Sequence, residues 1–136
     1  MTRNNLQEEI KRLLARTPVI GTACDLDLLV FLHRHPHSLL TNEQLAAFVG
    51  YDMKQVAESV EDFIEAGLLA RTQNAKHAVR LYLLMFDGPQ GGGLKSLLEI
   101  ASTREGRRGI LLLLHSRRSQ MPTDIAEEKR KMHAIA

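Results

Sequence analysis

Few residues in this chain of 136 are spaced for covalent chemistry. His33, His35 and His37 place three imidazoles within five positions, and neutral imidazole is a common metal ligand. The same residues end an apolar helical stretch, where cationic side chains suit the helix dipole. Pro36 breaks their spacing, and no cysteine or acidic cluster adjoins them, so no metal is expected. Cys24 is the single cysteine, which leaves no internal disulfide and no Cys-rich metal site. Asp25 and Asp27 raise its thiol pKa while a helix start lowers it, and a plain buried thiol is the simpler reading. The Gly-Pro-Gln-Gly-Gly-Gly run before Lys95 lacks the Gly-x-x-x-x-Gly-Lys-Ser/Thr spacing of a phosphate loop and reads as a hinge. No Ser/His/Asp arrangement, paired-carboxylate loop or dinucleotide fingerprint occurs, so neither an enzyme nor a cofactor is expected.

Groups suited to binding are better placed. Met53, Lys54, Gln55, Glu58 and Ser59 stand near the start of one helical segment, and Thr41 and Asn42 start the segment before it. Arg71, Asn74, Lys76, His77 and Arg80 punctuate a strand-turn-strand stretch.

The elements that must position these groups follow from periodicity and caps. Residues 5–16 read as an amphipathic helix through Leu6, Ile10, Leu13 and Leu14, stopped at Thr17-Pro18. A second helix spans about 25–35 and ends at Pro36. Thr41-x-x-Gln44 is a capping box opening a third helix, with Leu45, Phe48 and Val49 inward and Gly50 as terminator. A fourth helix starts at Asp52, with Gln55 in a similar capping position. It carries a buried stripe of Val56, Val60, Phe63 and Ile64 and ends at Gly67, with Leu68 folding back. Residues 68–71 and 79–86 read as two strands around a polar turn, with Val79, Leu81 and Leu83 alternating against Arg80 and Tyr82. Two short helices, 94–103 and 107–118, are expected to join near Gly106, and 119–136 carries only a faint helical pattern. The resulting division is an N-terminal helix and linker at 1–22, a helix-turn-helix with a wing at 23–86, a glycine-rich hinge at 87–93 and a helical segment at 94–136.

This pattern resembles the winged helix-turn-helix domains of bacterial MarR-like transcription regulators. The resemblance rests on the line from Thr41 to Gly50, the helix from Asp52 to Phe63, and Glu65-Ala-Gly-Leu-Leu-Ala-Arg71 leading into the wing. It covers about half the chain and implies a mainly α fold with a small β-hairpin wing and flanking N- and C-terminal helices. In such folds the second helix of the pair lies in the major groove. Here that helix offers Met53, Lys54, Gln55, Glu58 and Ser59; Gln55 suits adenine and Glu58 suits cytosine N4. Thr41 and Asn42 start the preceding helix, whose amides suit a phosphate. The resemblance assigns Arg71, Asn74, Lys76, His77 and Arg80 to the wing's DNA contacts.

Charge distribution departs from that family. Residues 17–70 carry two basic and eight acidic side chains, −6, while the other segments are basic and the whole chain is +2. The reading helix holds Glu58, Glu61, Asp62 and Glu65 where MarR-like proteins usually carry basic or hydroxyl side chains. Phosphate contacts must then come from the wing and from Lys11, Arg12 and Arg16. The alternative is a winged helix that docks a protein partner through this acidic face, since fold alone does not fix function. Double-stranded DNA is the expected partner, read as a homodimer because operators come as paired half-sites. The apolar run 110–114 could pack in the same core or at a dimer interface.

Composition fits this outline. With 44% apolar and 25% charged residues and no Trp, the chain is expected to be soluble with a mostly aliphatic core. Its first residues do not form a signal peptide and its apolar runs are too short to span a bilayer, so a cytoplasmic bacterial protein without membrane contact is expected.

Overall fold

Hydroxyl side chains cap the starts of three helices among the described residues. The computed structural model describes residues 3–72, 78–88 and 91–120. Helix α1 (Arg3–Arg16) ends where Thr17 turns inward and its hydroxyl donates to the Leu13 carbonyl at 3.0 Å. Helix α2 (Ala23–Arg34) begins two residues before the expected start, because Asp25 is the third residue of a capping box rather than its opening. The Thr22 hydroxyl accepts from the Asp25 amide at 3.1 Å, and the Asp25 carboxylate accepts from the Thr22 amide at 3.0 Å. Reciprocal bonds of this kind satisfy two amides that a helix start otherwise leaves unpaired.

Strand β1 (Leu39–Leu40) precedes helix α3 (Asn42–Val49), whose Thr41–Gln44 box has both bonds at 3.0 Å. Gly50 closes α3 with φ 82°, a conformation that costs glycine little. Helix α4 (Met53–Glu65) starts after Asp52, but the Asp52 side chain makes no capping bond, so the expected cap with Gln55 is not formed. At its far end Gly67 adopts φ 76° and the Leu68 amide returns to the Phe63 carbonyl at 2.9 Å. That turn buries Leu68 against the helix it has just left.

Strands β2 (Leu69–Arg71) and β3 (Arg80–Leu84) form the wing stem, with Arg71 opposite Tyr82. Strand β1 pairs with the other edge of β3, giving an antiparallel order β1-β3-β2. Two residues are too few to show alternation, which is why β1 has no sequence signature. The alternation of β3 is also opposite to expectation. Tyr82 is the buried residue, at 2% exposure, while Leu81 and Leu83 are only half-buried. An aromatic ring with a polar tip can take an inward position when the tip finds a partner, and the Tyr82 hydroxyl donates to Asn42 Oδ1 at 3.0 Å.

Helix α5 (Gly91–Ala101) and helix α6 (Arg104–Gln120) complete the chain. The expected hinge is shorter than its glycines suggest, because Gly91, Gly92 and Gly93 form the first turn of α5. Gly91 is required by contact: a Cβ there would overlap the Phe86 carbonyl. Gly106 likewise lies inside α6 rather than between helices, and a Cβ on it would overlap the Ile100 carbonyl. Ser102 and Thr103 make the joint, and the Thr103 hydroxyl accepts from the Gly106 amide at 3.0 Å.

Helix α1 packs with α5 and α6, while α2 reaches α5 on one side and α3, α4 and β3 on the other. One aliphatic core runs through both groups, from Ile10, Leu13, Leu97 and Ile110 to Leu28, Leu45, Val60 and Phe63. Phe48, expected inside, is exposed and stacks on Phe31 with ring centroids 5.7 Å apart. Along the 110–114 run, Ile110 and Leu114 are buried but Leu112 is 57% exposed. No helix among the described residues is long and apolar enough to cross a membrane.

Candidate functional site

Helix α4 separates its two faces sharply. Val56, Val60 and Phe63 are buried, whereas Met53, Lys54, Gln55 and Glu58 are exposed and form its outward row. Ser59 does not join that row. It is 4% exposed and its hydroxyl donates to Asp25 Oδ1 at 2.6 Å, with Cys24 Sγ 3.6 Å away. The spacing carried this signal, since Ser59 stands three residues after Val56 and four before Phe63, on the buried stripe itself. A serine can occupy such a stripe because Asp25, already fixed by its capping box, accepts the hydroxyl proton.

Helix α3 contributes its start. The Thr41 hydroxyl is engaged in the cap, and Asn42 is exposed while holding Tyr82. Burial raises the Tyr82 pKa; the nearby Arg71 and Arg80 charges oppose it and Glu61 adds to it. Arg71, opposite Tyr82 on β2, and Arg80, two residues before it on β3, share the face of the sheet that carries this ring. Arg71 is ion-paired with Glu61 at 2.9 Å, which ties the wing stem to α4. The sequence assigns Arg71 to the wing contacts and Glu61 to the acidic face of the reading helix; the fold joins them. Arg80 is half-buried on the same strand as Tyr82. Asn74, Lys76 and His77, the expected wing-tip contacts, lie outside the described residues. Asn42, Met53, Ala57, Glu61, Arg71 and Arg80 line a groove of about 260 Å³ between the helix pair and the sheet.

Behind this face lies a second polar cluster that sequence spacing did not reveal. Asp27 of α2 accepts from the Tyr51 hydroxyl at 2.6 Å, in the turn just before α4. It also accepts from Arg107 of α6 through Nε and Nη2, both at 2.9 Å. Burial raises the Asp27 pKa, but the bonds from Arg107 and Tyr51 outweigh it and hold the carboxyl below its usual range. Tyr51 is pushed up to about 12, by burial first and then by Asp27. Arg107, part-exposed, is thus a tie between α6 and α2. The three residues are 24 and 80 positions apart, so no local pattern could pair them.

A cleft of about 520 Å³ separates α1 from α6, lined by Leu6, Ile10, Arg104, Arg108 and Leu112 among others. Among the described residues no group of His, Cys, Asp and Glu is placed to hold a metal. His33 packs edge-on against Phe86 and His35 against Phe31.

No family profile matches the sequence, and no curated protein matches it. Solved structures do. The transcriptional repressor CouR bound to a 23-mer DNA duplex is 19% identical, with 93% of this chain and 86% of that chain covered and a TM-score of 0.51. MepR, a transcription regulator of the Staphylococcus aureus multidrug efflux pump MepA, is 14% identical over 95% of this chain and 91% of its own, with a TM-score of 0.50. A MarR-family transcriptional regulator from Rhodococcus sp. RHA1 is 17% identical over 95% and 81% of the two chains, with a TM-score of 0.48. The winged helix with flanking helices is the fold this chain shares with the first two.

Proposed function

We propose that this protein is a DNA-binding transcription regulator that lays α4 in the major groove and its wing along the adjoining backbone. The observation that carries the reading is the outward row of α4. Met53, Lys54, Gln55 and Glu58 are exposed on a helix whose other face is locked into the core. A rigid helix with its polar groups free at one end suits base-edge reading. Its likeness in fold to a repressor solved on a DNA duplex supports the same reading.

Lys54 offers a guanine or phosphate contact, Gln55 an adenine contact and Glu58 a cytosine contact. The Gln55 amide is available because it makes no cap with Asp52. Arg80 and the wing tip with Asn74, Lys76 and His77 contact the backbone, and the α3 start with Thr41 and Asn42 meets a phosphate. Ser59 is withdrawn from the set. The working form is a homodimer in the cytoplasm, joined through the α1–α6 face where Leu112 is exposed.

Fluorescence anisotropy with a labelled random-sequence duplex tests the reading. Binding at low salt that weakens steeply toward physiological salt is expected. Arg80→Ala should weaken binding to all sequences, and Lys54→Ala should also alter sequence preference. A parent protein that leaves the duplex unbound at low salt refutes the assignment.

A further inference from the structure

The groove between α4 and the sheet has an uneven charge arrangement. Arg71 faces Tyr82 across the β2–β3 pair, and Arg80 precedes Tyr82 by two, so the three share one face of the sheet. On the opposite wall stand Asn42 and Glu61. At about 260 Å³ the groove is smaller than the roughly 300–1,000 Å³ of small-molecule pockets. It suits one chemical group carried on a larger partner.

The Arg71–Glu61 pair is asymmetric. The Arg71 side chain is 18% exposed and the Glu61 side chain 62%. The Arg71 Nε is buried with no hydrogen-bond partner among the described residues. A guanidinium carries five donors in a planar fork that fits the oxygens of a carboxylate or phosphate in pairs. Here one nitrogen meets Glu61 while Nε has no acceptor among the described residues, and the anion is the more exposed partner of the pair.

We propose that this groove seats an internucleotide phosphate of bound DNA, and that Glu61 is its built-in competitor. In the free protein the carboxylate occupies Arg71. On binding, the phosphate takes its place between Arg71 and Arg80 while Asn42 lines the opposite wall. Glu61 thereby suppresses casual binding to any duplex, and DNA is retained where the outward row of α4 adds base contacts. Specificity of this kind comes from a repulsive element as much as from an attractive one. The proposal rests on the DNA-binding reading above.

The test uses the full chain, with Glu61→Gln and Glu61→Ala titrated against a labelled random-sequence duplex over a range of salt. Asp62→Asn serves as a control with the same charge change on an exposed neighbour, and urea unfolding checks that each variant is folded. Releasing one further counterion steepens the log–log salt slope by about 0.9, which amounts to roughly tenfold tighter binding at ~50 mM salt. Both Glu61 variants should show this gain, Asp62→Asn clearly less, and Glu61→Gln combined with Arg71→Ala should lose it. If the parent binds but the Glu61 variants keep its affinity and slope, the phosphate seat is refuted and the DNA reading stands. An equal gain from Asp62→Asn, or one that survives Arg71→Ala, also refutes it, because bulk charge then accounts for the effect. Absence of binding by the parent and all variants at low salt overturns the DNA reading and the seat with it.

Discussion

Replacing Asp27 with Ala should loosen three elements at once. The carboxylate accepts one bond from Tyr51 at 2.6 Å and two from Arg107 at 2.9 Å. Bonds to a charged group contribute about 1.5–3 kcal/mol each by deletion, but the Arg107 end must be discounted. The Arg107 side chain is 45% exposed and regains water when its partner is removed, so that pair contributes about 1 kcal/mol or less. The Tyr51 hydroxyl, half-buried, loses its one short acceptor, adding about 1–1.5 kcal/mol. The expected loss is therefore about 1–2.5 kcal/mol, read as a lower urea midpoint at unchanged m-value. Asp27→Asn should lose less, since the amide oxygen still accepts one bond. The pH dependence has a definite sign. Asp27 has a depressed pKa in the folded state, so its contribution is present above the unfolded value near 3.9 and is lost as pH falls through the folded value. Parent and Asp27→Asn should thus begin to approach each other in stability below about pH 4 and converge only once pH has fallen past the depressed folded value. A loss under ~0.5 kcal/mol for Asp27→Ala at neutral pH would show that the cluster contributes nothing beyond solvated ions.

Three other outcomes follow from the same structure. Gly106→Ala drives a methyl into the Ile100 carbonyl and should cost about 2–3 kcal/mol despite the better helix propensity of alanine, whereas Gly92→Ala, with open space around it, should stabilise by up to ~1 kcal/mol in thermal melts. Ser59→Ala strips the buried Asp25 oxygen of its hydroxyl donor and should cost about 1–2 kcal/mol in urea unfolding; a neutral result means Asp25 finds another partner. Tyr51, raised to about 12, favours the fold fully below the unfolded value near 10, and that contribution declines between pH 10 and 12. Tyr51→Phe should therefore reduce the alkaline sensitivity of the parent over that interval, with the Tyr82 contribution remaining, measured as a Tm difference.

What could be read from the chain, and what could not, divides by range of interaction. The Thr41–Gln44 box and the Gly67 turn with Leu68 act within a few residues, and both stand where local chemistry puts them. Position along a helical stripe was equally legible: Val56, Val60 and Phe63 are buried as their spacing requires. Ser59 obeys the same spacing, and its buried place follows from its position on the stripe rather than from its polarity. Tyr82 shows the converse limit, since its inward place depends on Asn42, forty residues earlier. Gly91 stands where the sequence suggests a hinge and Gly106 where it suggests a helix joint, but both mark close packing that only the folded chain reveals. Of the candidate site, the outward row of α4 was accessible to sequence; the Glu61–Arg71 tie and the Asp27 cluster were not, because nothing local links a helix to a later strand or to the last helix.

The buried Ser59–Asp25 contact covers Cys24, which has no exposed surface and whose thiol burial pushes up. A thiol in that state reacts only after α2 parts from α4. Because this is the single cysteine of the chain, the protein carries a native reporter of that opening, with no substitution required. The rate at which a thiol reagent labels Cys24 measures how often the reading helix leaves its support. A partner that binds only the closed form must slow that rate in step with its own occupancy.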